Sequence, residues 1–324
     1  MLCRGQPNPT FEVSSPRVRE RDRCQLSTQT ERDGAQRRER SGQEHIVAAV
    51  NQRSGEEGWV TPDGRPKGGQ AYRGIIADWT SVMSADRVAV ASRFHAELLR
   101  QKLPTFIENL IKGAGASLEV VLDDIQVLPI GIETSGTTNA TTEGCLKVLW
   151  NHRWSHDKGP NEFVHAMLKL ASEDFQFEIF AMGDVERSGM KAHNRLKRGL
   201  RDRLVICGSR DRAEYQAVLK KADLVVSTAR HDFFGVAISE AIASGARPVL
   251  PKRLAYPELV PTELHPELLY EGSLEDALRP QLALDRSELH IHRNATQEHV
   301  ANFDWLNVAP RYDSFIDEMI SSFR

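Results

Sequence analysis

Two stretches of the 324-residue chain carry side chains whose types and spacing suit chemistry on a phosphate-bearing ligand. In HDFFGVAISEAIASG, His231 precedes an acid at Asp232, Phe234 and Gly235 follow, and a second acid, Glu240, comes eight positions after the first. In WNHRWSHDKGP, Arg153 and Lys158 stand five positions apart, just after an apolar run. Arg grips a diphosphate in bidentate fashion, and Lys neutralises it as a point charge. Gly235 has no Cβ, so backbone there can approach a ligand closely. With Phe234 before it and Val236 after it, Gly235 opens a helix whose first N–H groups are free to take an anion. Glu240 lies one further turn along, where its carboxylate can accept two ribose hydroxyls. Singly, Arg153, Lys158 and Glu240 are accounted for as solvated surface charges. Jointly they describe a pocket for a nucleotide diphosphate that carries a sugar.

The elements that must hold these residues alternate. The run ADLVVST (222–228) is short, apolar and β-branched and reads as a buried parallel strand. Val236, Ile238, Ala241 and Ile242 follow with helical spacing, and Gly245 is the stop. Upstream, 145–150 reads as a strand, 160–172 as a helix, and 177–182 as a strand ending at Gly183. A helix to about Gly199, a strand 204–207 and a helix 212–221 continue the rhythm, and 248–250 closes it. Such alternation predicts an α/β fold with a parallel sheet and ligands at the carboxyl ends of its strands, where Arg153, Lys158, Gly183, Asp232–Gly235 and Glu240 all fall. Before this unit, 79–85 reads as a helix end, 87–91 as a strand, and Ser92 as the N-cap of a helix to about Leu103. Gly113–Gly115 reads as a loop, 127–131 as a strand leading across, and 134–144 as a flexible link. Phe303–Trp305 followed by Tyr312, Phe315 and Ile316 predicts an amphipathic C-terminal helix.

These motifs resemble a known family. Arg-x4-Lys, acid-x7-Glu and the closing Gly245-Ala-Arg-Pro248-Val are the pattern of retaining family-4-type glycosyltransferases with the two-domain GT-B fold. The wording of WNHRWSHDK, STARHDFFGVAISEA and LAYPEL is similar to that of the tRNA-queuosine α-mannosyltransferase family. The likeness continues in ADWTSVMSADRVAVASRFH and VLPIGIE and covers roughly residues 71–324. The resemblance implies one complete Rossmann-like C-terminal domain at 145–300 and a remnant of an N-terminal, acceptor-side Rossmann-like domain at 71–133. A linker at 134–144 joins them, and a return helix at 301–324 braces the remnant. It implies retaining transfer of mannose from GDP-mannose to queuosine in a tRNA anticodon, with Asp232, Arg153 and Lys158 catalytic. Donor binding would fall to Arg153, Lys158, Gly183, Phe234, Gly235, Val236 and Glu240. No metal and no cofactor beyond the donor substrate is implied. The family usually has Glu where this chain has Asp232, which sets the carboxylate about one bond further back. Two other readings stay open: a donor-binding remnant that turns nothing over, and a related enzyme with another sugar nucleotide and acceptor.

Composition bounds the rest. An apolar content of 40% suffices for packed cores, and a net charge of −3 excludes a broadly basic, nucleic-acid-coating protein. Four cysteines without CxxC or disulfide-framework spacing fit a reducing cytoplasm. No apolar run approaches a membrane span. Residues 1–70 hold eleven Arg, ten acids and only eleven large apolar side chains. They are expected to be disordered, as a truncated or replaced version of the first domain. Lys191, Arg195, Lys197, Arg198, Arg201 and Arg203 form a basic cluster that reads either as a solvated helix face or as a contact for tRNA phosphates. His152, His156 and His231 flank the phosphate loops without spacing that suits a metal. His95 reads as a helix surface residue, and Glu258 as a solvated loop acid or a pocket lining.

Overall fold

Residues 47–49, 69–134 and 144–322 are described by the structure, a computed structural model. The chain first builds a small parallel sheet of strands β1 (Val47–Ala49), β2 (Arg87–Val90) and β3 (Gln126–Val127), in the order β1-β2-β3. Helices α1 (Gly69–Ser84), α2 (Arg93–Leu110) and α3 (Ala114–Asp123) accompany it. Their apolar faces, including Val82, Leu99, Phe106, Ile107 and Leu118, share one core. Ser92 caps α2 as its type predicts, accepting from His95 N–H. The helix does not stop near Leu103 but runs through Pro104 to Leu110. A proline forfeits one helical bond, and burial of Phe106 and Ile107 beyond it outweighs that loss. Nor is Gly113–Gly115 all loop. Gly113 turns with φ +85°, and Gly115 already lies in α3, where a Cβ would come within 3.0 Å of Pro104 O.

The stretch 1–70 was expected to be unstructured, yet Val47–Ala49 pairs in register with Arg87–Ala89. The remainder of that stretch to residue 68, and the linker residues 135–143, lie outside the described residues.

The larger sheet consists of β4 (Leu146–Asn151), β5 (Phe177–Met182), β6 (Leu204–Gly208), β7 (Leu224–Val226), β8 (Arg247–Pro251) and β9 (Leu269–Tyr270). All its pairings are parallel, in the order β6-β5-β4-β7-β8-β9. Its middle strands are buried on both faces, so their side chains alternate between two apolar layers. Leu146, Val148, Trp150, Phe177, Ile179 and Ala181 fill one layer, while Leu149, Phe180 and Met182 fill the other. Helices α4 (Pro160–Ser172), α5 (Met190–Gly199), α6 (Arg212–Leu219) and α7 (Val236–Ala243) follow the first four strands in turn, and α8 (Leu274–Ala283) and α9 (Arg293–Ala301) complete the cover. A fully buried side chain of this size contributes about 1.5–3 kcal/mol, so both layers hold the loops above them firmly.

The last helix, α10 (Trp305–Ser321), runs back along the connecting segment. Ile132 N–H bonds Phe303 O at 2.8 Å and Trp305 N–H bonds Ile132 O at 3.2 Å. Tyr312 OH reaches Leu128 O and Pro129 O, and Arg311 reaches Val127 O. At the junction of the two parts, Glu258 accepts from Arg93 N–H at 3.0 Å and Phe94 N–H at 2.7 Å. It is thus not a free loop acid: it caps α2 from across the fold.

Candidate active site

Strands β4 and β7 are hydrogen-bonded neighbours from which the chain departs in opposite directions, to β5 on one side and to β8 on the other. Ligands of parallel α/β sheets settle in the crevice at such a reversal. The two sequence-predicted loops leave these two strands. They are tied together by Arg230 N–H to Asp157 O at 2.8 Å and by Thr228 Oγ1–H to Lys158 O at 2.9 Å. Gly159 permits the contact: a Cβ there would lie 2.3 Å from Thr228 O.

Lys158 and Asp232 meet at this point. Lys158 Nζ donates to His231 O at 2.6 Å and stands 3.3 Å from Asp232 Oδ2, with both side chains largely buried. Tyr256 OH donates to the same Asp232 oxygen at 3.2 Å. Burial pushes the Asp232 carboxyl up, but Lys158, His152 and the Phe234 N–H together outweigh it and hold it below its ordinary value. The site therefore keeps a fixed anion and a fixed cation side by side.

Arg153 stands apart from them. Its side chain is 57% exposed, 3.1 Å from Glu186 and 3.6 Å from Asp157. Gly183 closes the back of its loop with φ +110°, and a Cβ there would sit 2.1 Å from His152 O. Gly235, at φ +87°, caps α7. The first hydrogen bond of that helix runs from Ser239 N–H to Gly235 O at 2.9 Å, so the N–H groups of Val236, Ala237 and Ile238 lie ahead of it. Phe234 supplies no wall to the crevice: its ring is core, edge-on to Phe303 at 5.1 Å. Any part it takes in binding falls to its backbone.

Glu240 is found at the other end, almost buried. It accepts from Tyr215 OH at 2.7 Å and from Arg212 Nη1 at 2.9 Å, and Arg212 also bridges to Glu133 at 2.9 Å. Burial and the Glu240 charge push the Tyr215 phenol up, so it stays a donor. Both oxygens of Glu240 thus have protein partners that a ribose would have to share.

His152 and His231 flank Asp232, and His95 lies beyond them. His152 is buried and bonds Ser227 Oγ at 2.9 Å; burial, then Lys158, lowers its pKa to about 3. His95 is buried too, correcting its reading as a surface residue. It stacks on Phe233 at 3.9 Å, and burial, then His231, lowers its pKa to about 4. The His231 pKa is lowered by burial and by Lys158. His156 is exposed. Among the described residues, no group of three or more His, Cys, Asp or Glu side chains is arranged to hold a metal ion.

Sequence reading did not find Tyr256, Ser227, Arg212 or Tyr215 as members of the site. Tyr256 offered a signal, since it opens the YPEL motif. Arg212 and Tyr215 offered none beyond their place at the start of a helix that follows a strand.

Comparison with known proteins bears on the fold and on part of the chain. Residues 138–278 match the profile of Glycosyl transferases group 1. The tRNA-queuosine alpha-mannosyltransferase of Drosophila melanogaster is 35% identical over 127 residues, covering 39% of this chain and 34% of that protein. The GDP-mannose:cellobiosyl-diphosphopolyprenol alpha-mannosyltransferase of Xanthomonas oryzae pv. oryzae is 26% identical over 195 residues, covering 58% of this chain and 50% of that one. The chain thus spans between a third and a half of the length of these relatives. In fold it is similar to sucrose-phosphate synthase from Thermosynechococcus elongatus, with a TM-score of 0.68, 18% identity, and coverage of 89% of this chain and 71% of that one. It is also similar to a glycosyltransferase from Rickettsia africae, with a TM-score of 0.59, 14% identity, and coverage of 96% and 84%. The architecture is therefore that of the GT-B glycosyltransferases, with a Rossmann-like C-terminal domain. Residues 138–278 are the part of the chain that is similar to the group 1 glycosyltransferases.

Proposed function

We propose that the chain binds GDP-mannose and serves the retaining transfer of mannose to a hydroxyl of queuosine in a tRNA anticodon. The observation that carries the donor reading is the Lys158–Asp232 pair at the mouth of α7, on the strand-order reversal. Lys158, with Arg153 swinging in from the rim and the first α7 N–H groups, would stabilise charge growing on the departing diphosphate. Asp232 would orient sugar hydroxyls, and Glu240 the ribose. The bond from the sugar C1 to the diphosphate oxygen breaks, and the acceptor oxygen bonds C1 on the same face. The acceptor's proton passes to the departing diphosphate, and GDP leaves. Mannose and GDP are favoured because both curated relatives above are named as mannosyltransferases, one of them for GDP-mannose. A tRNA acceptor goes with a cytoplasmic location, and Cys145 and Cys207 are free thiols. No helix among the described residues is long and apolar enough to cross a membrane.

The Xanthomonas relative favours a second reading that keeps the donor and changes the acceptor to a polyprenol-linked glycan. Calorimetry with GDP, UDP and ADP, each with and without a sugar, tests the donor. GDP-mannose should bind most tightly, and equal binding of all three nucleotides overturns the base assignment. Transfer of labelled mannose to queuosine-bearing tRNA, but not to a polyprenol-linked glycan, decides the acceptor.

A further inference from the structure

We infer that the exposed face of α5 is a contact surface for an RNA backbone, which rests on the tRNA reading above and gives that acceptor a place to lie. Residues 187–203 contain Arg187, Lys191, Arg195, Lys197, Arg198, Arg201 and Arg203 against the single acid Asp202, in a chain whose net charge is −3. Arg203 is spoken for: it donates to Phe175 O, and its guanidinium sits 4.8 Å over the Phe177 ring. The other six are exposed.

Lys191, Arg195 and Arg198 follow one another by four and three residues, so they fall within about 60° on one face and span about 10 Å. Ala192, His193 and Leu196, on the opposite side, are buried. The helix therefore has no apolar face left to insert in a lipid surface. What it presents is a stripe of charge at a spacing a phosphodiester chain can follow.

The stripe is also tied to the crevice. The turn before α5 is clamped to the loop that carries Arg153 and Lys158: Trp154 N–H bonds Asp184 O at 2.8 Å, and Glu186 N–H bonds Trp154 O at 3.3 Å. Gly189 lies so close that a Cβ would come 2.0 Å from Trp154 O. Arg187 lies in that turn, and beyond it Arg153, paired with Glu186 and Asp157, stands at the rim. A strand held along α5 would therefore end at the donor.

The test is binding of queuosine-bearing tRNA to the full chain, followed by fluorescence anisotropy across a salt series. Each phosphate contact adds about 0.7–0.9 to the slope of log affinity against log salt. Replacing Lys191, Arg195 and Arg198 together with Gln should lower the slope by about two and weaken binding roughly a hundredfold at 0.1 M salt. Calorimetric affinity for GDP-mannose should stay as in the wild type. Replacing exposed Lys102 and Lys112 with Gln serves as the control and should leave the slope nearly as it was. An unchanged slope in the triple variant overturns the inference, as does an equal fall in the control or tighter binding to phosphatidylserine vesicles than to tRNA. If the wild type binds GDP-mannose but no tRNA, both this surface and the tRNA acceptor fall while the donor reading stands. If it binds tRNA by the stripe but no GDP-mannose, the surface stands and the donor reading falls.

Discussion

The two ends of the crevice solve opposite problems. At the Lys158–Asp232 end, the charged side chains are 13% and 16% exposed, and the neighbouring Tyr256 and His152 are buried. At the Glu240 end, Arg212 and Glu133 are 51% and 64% exposed, while Glu240 and, in part, Tyr215 are sheltered. The first end is preorganised, and its charges also belong to the core. The second is an ion pair whose Arg212 partner is half in solvent, so the pair itself contributes little to stability. Damage to the first should appear as lost stability together with lost binding; damage to the second should appear in binding alone.

The sharpest break comes from Lys158→Ala, which leaves the Asp232 carboxylate buried beside nothing cationic. Stability should fall by about 3–5 kcal/mol in a denaturant titration, with part restored in the Lys158→Ala/Asp232→Asn double variant. If Lys158→Ala unfolds like Arg212→Ala, the contrast between the ends disappears.

The pH response should separate them next. His152 and His95 have folded pKa values near 3 and 4, below the ordinary 6.5. Folding then favours the neutral rings, so their stabilisation is complete above pH 6.5 and is lost as the pH falls toward 4. Each contributes a slope of up to about 1.4 kcal/mol per pH unit. His152→Gln, at the first end, should remove its share of that slope. A flat profile in the wild type between pH 6.5 and 4 would contradict the burial of these rings.

Binding variants sharpen the same contrast. Asp232→Asn should barely affect GDP yet weaken GDP-mannose by about 1.5–3 kcal/mol, and Glu240→Gln should weaken both ligands alike by a similar amount. Asp232→Glu should preserve or improve sugar binding. Equal effects of Asp232→Asn and Glu240→Gln on free GDP would show that the acids do not divide the donor between them. The smallest effects belong to the exposed cations. Arg153→Ala should cost GDP about 1 kcal/mol, and Arg212→Ala should shift stability by no more than about 0.5 kcal/mol.

How much of this was written in the sequence follows from where each interaction closes. Asp232, Gly235 and Glu240 share one strand-loop-helix unit, and local spacing placed them. Arg153 and Lys158 were found the same way, but five residues of spacing carry no word on burial, and the structure sends one to the rim and the other inside. Phe234 was grouped with its glycine neighbour, although its ring serves the core. The pairing of β4 with β7, which makes the crevice, joins strands some seventy residues apart. Tyr256 on Asp232 and Arg212 on Glu240 close over 24 and 28 residues. No periodicity reports such contacts. Gly115 was misread as loop because a glycine can signal either a turn or a close approach, and only the neighbour, Pro104 O, tells which.

Glu258 turns the seam between the two parts into a clasp. Helix α2 has no acid in its first turn. Alongside Ser92, it takes the carboxylate at its N-terminus from a loop 165 residues away. Parting the seam by the width of one water strips two N–H groups and a carboxylate at once, and water can satisfy all three. Closing requires the two N–H groups and the two carboxylate oxygens to fall opposite one another. The smaller part thus has one seat on the larger, and in that seat His95 lies stacked on Phe233.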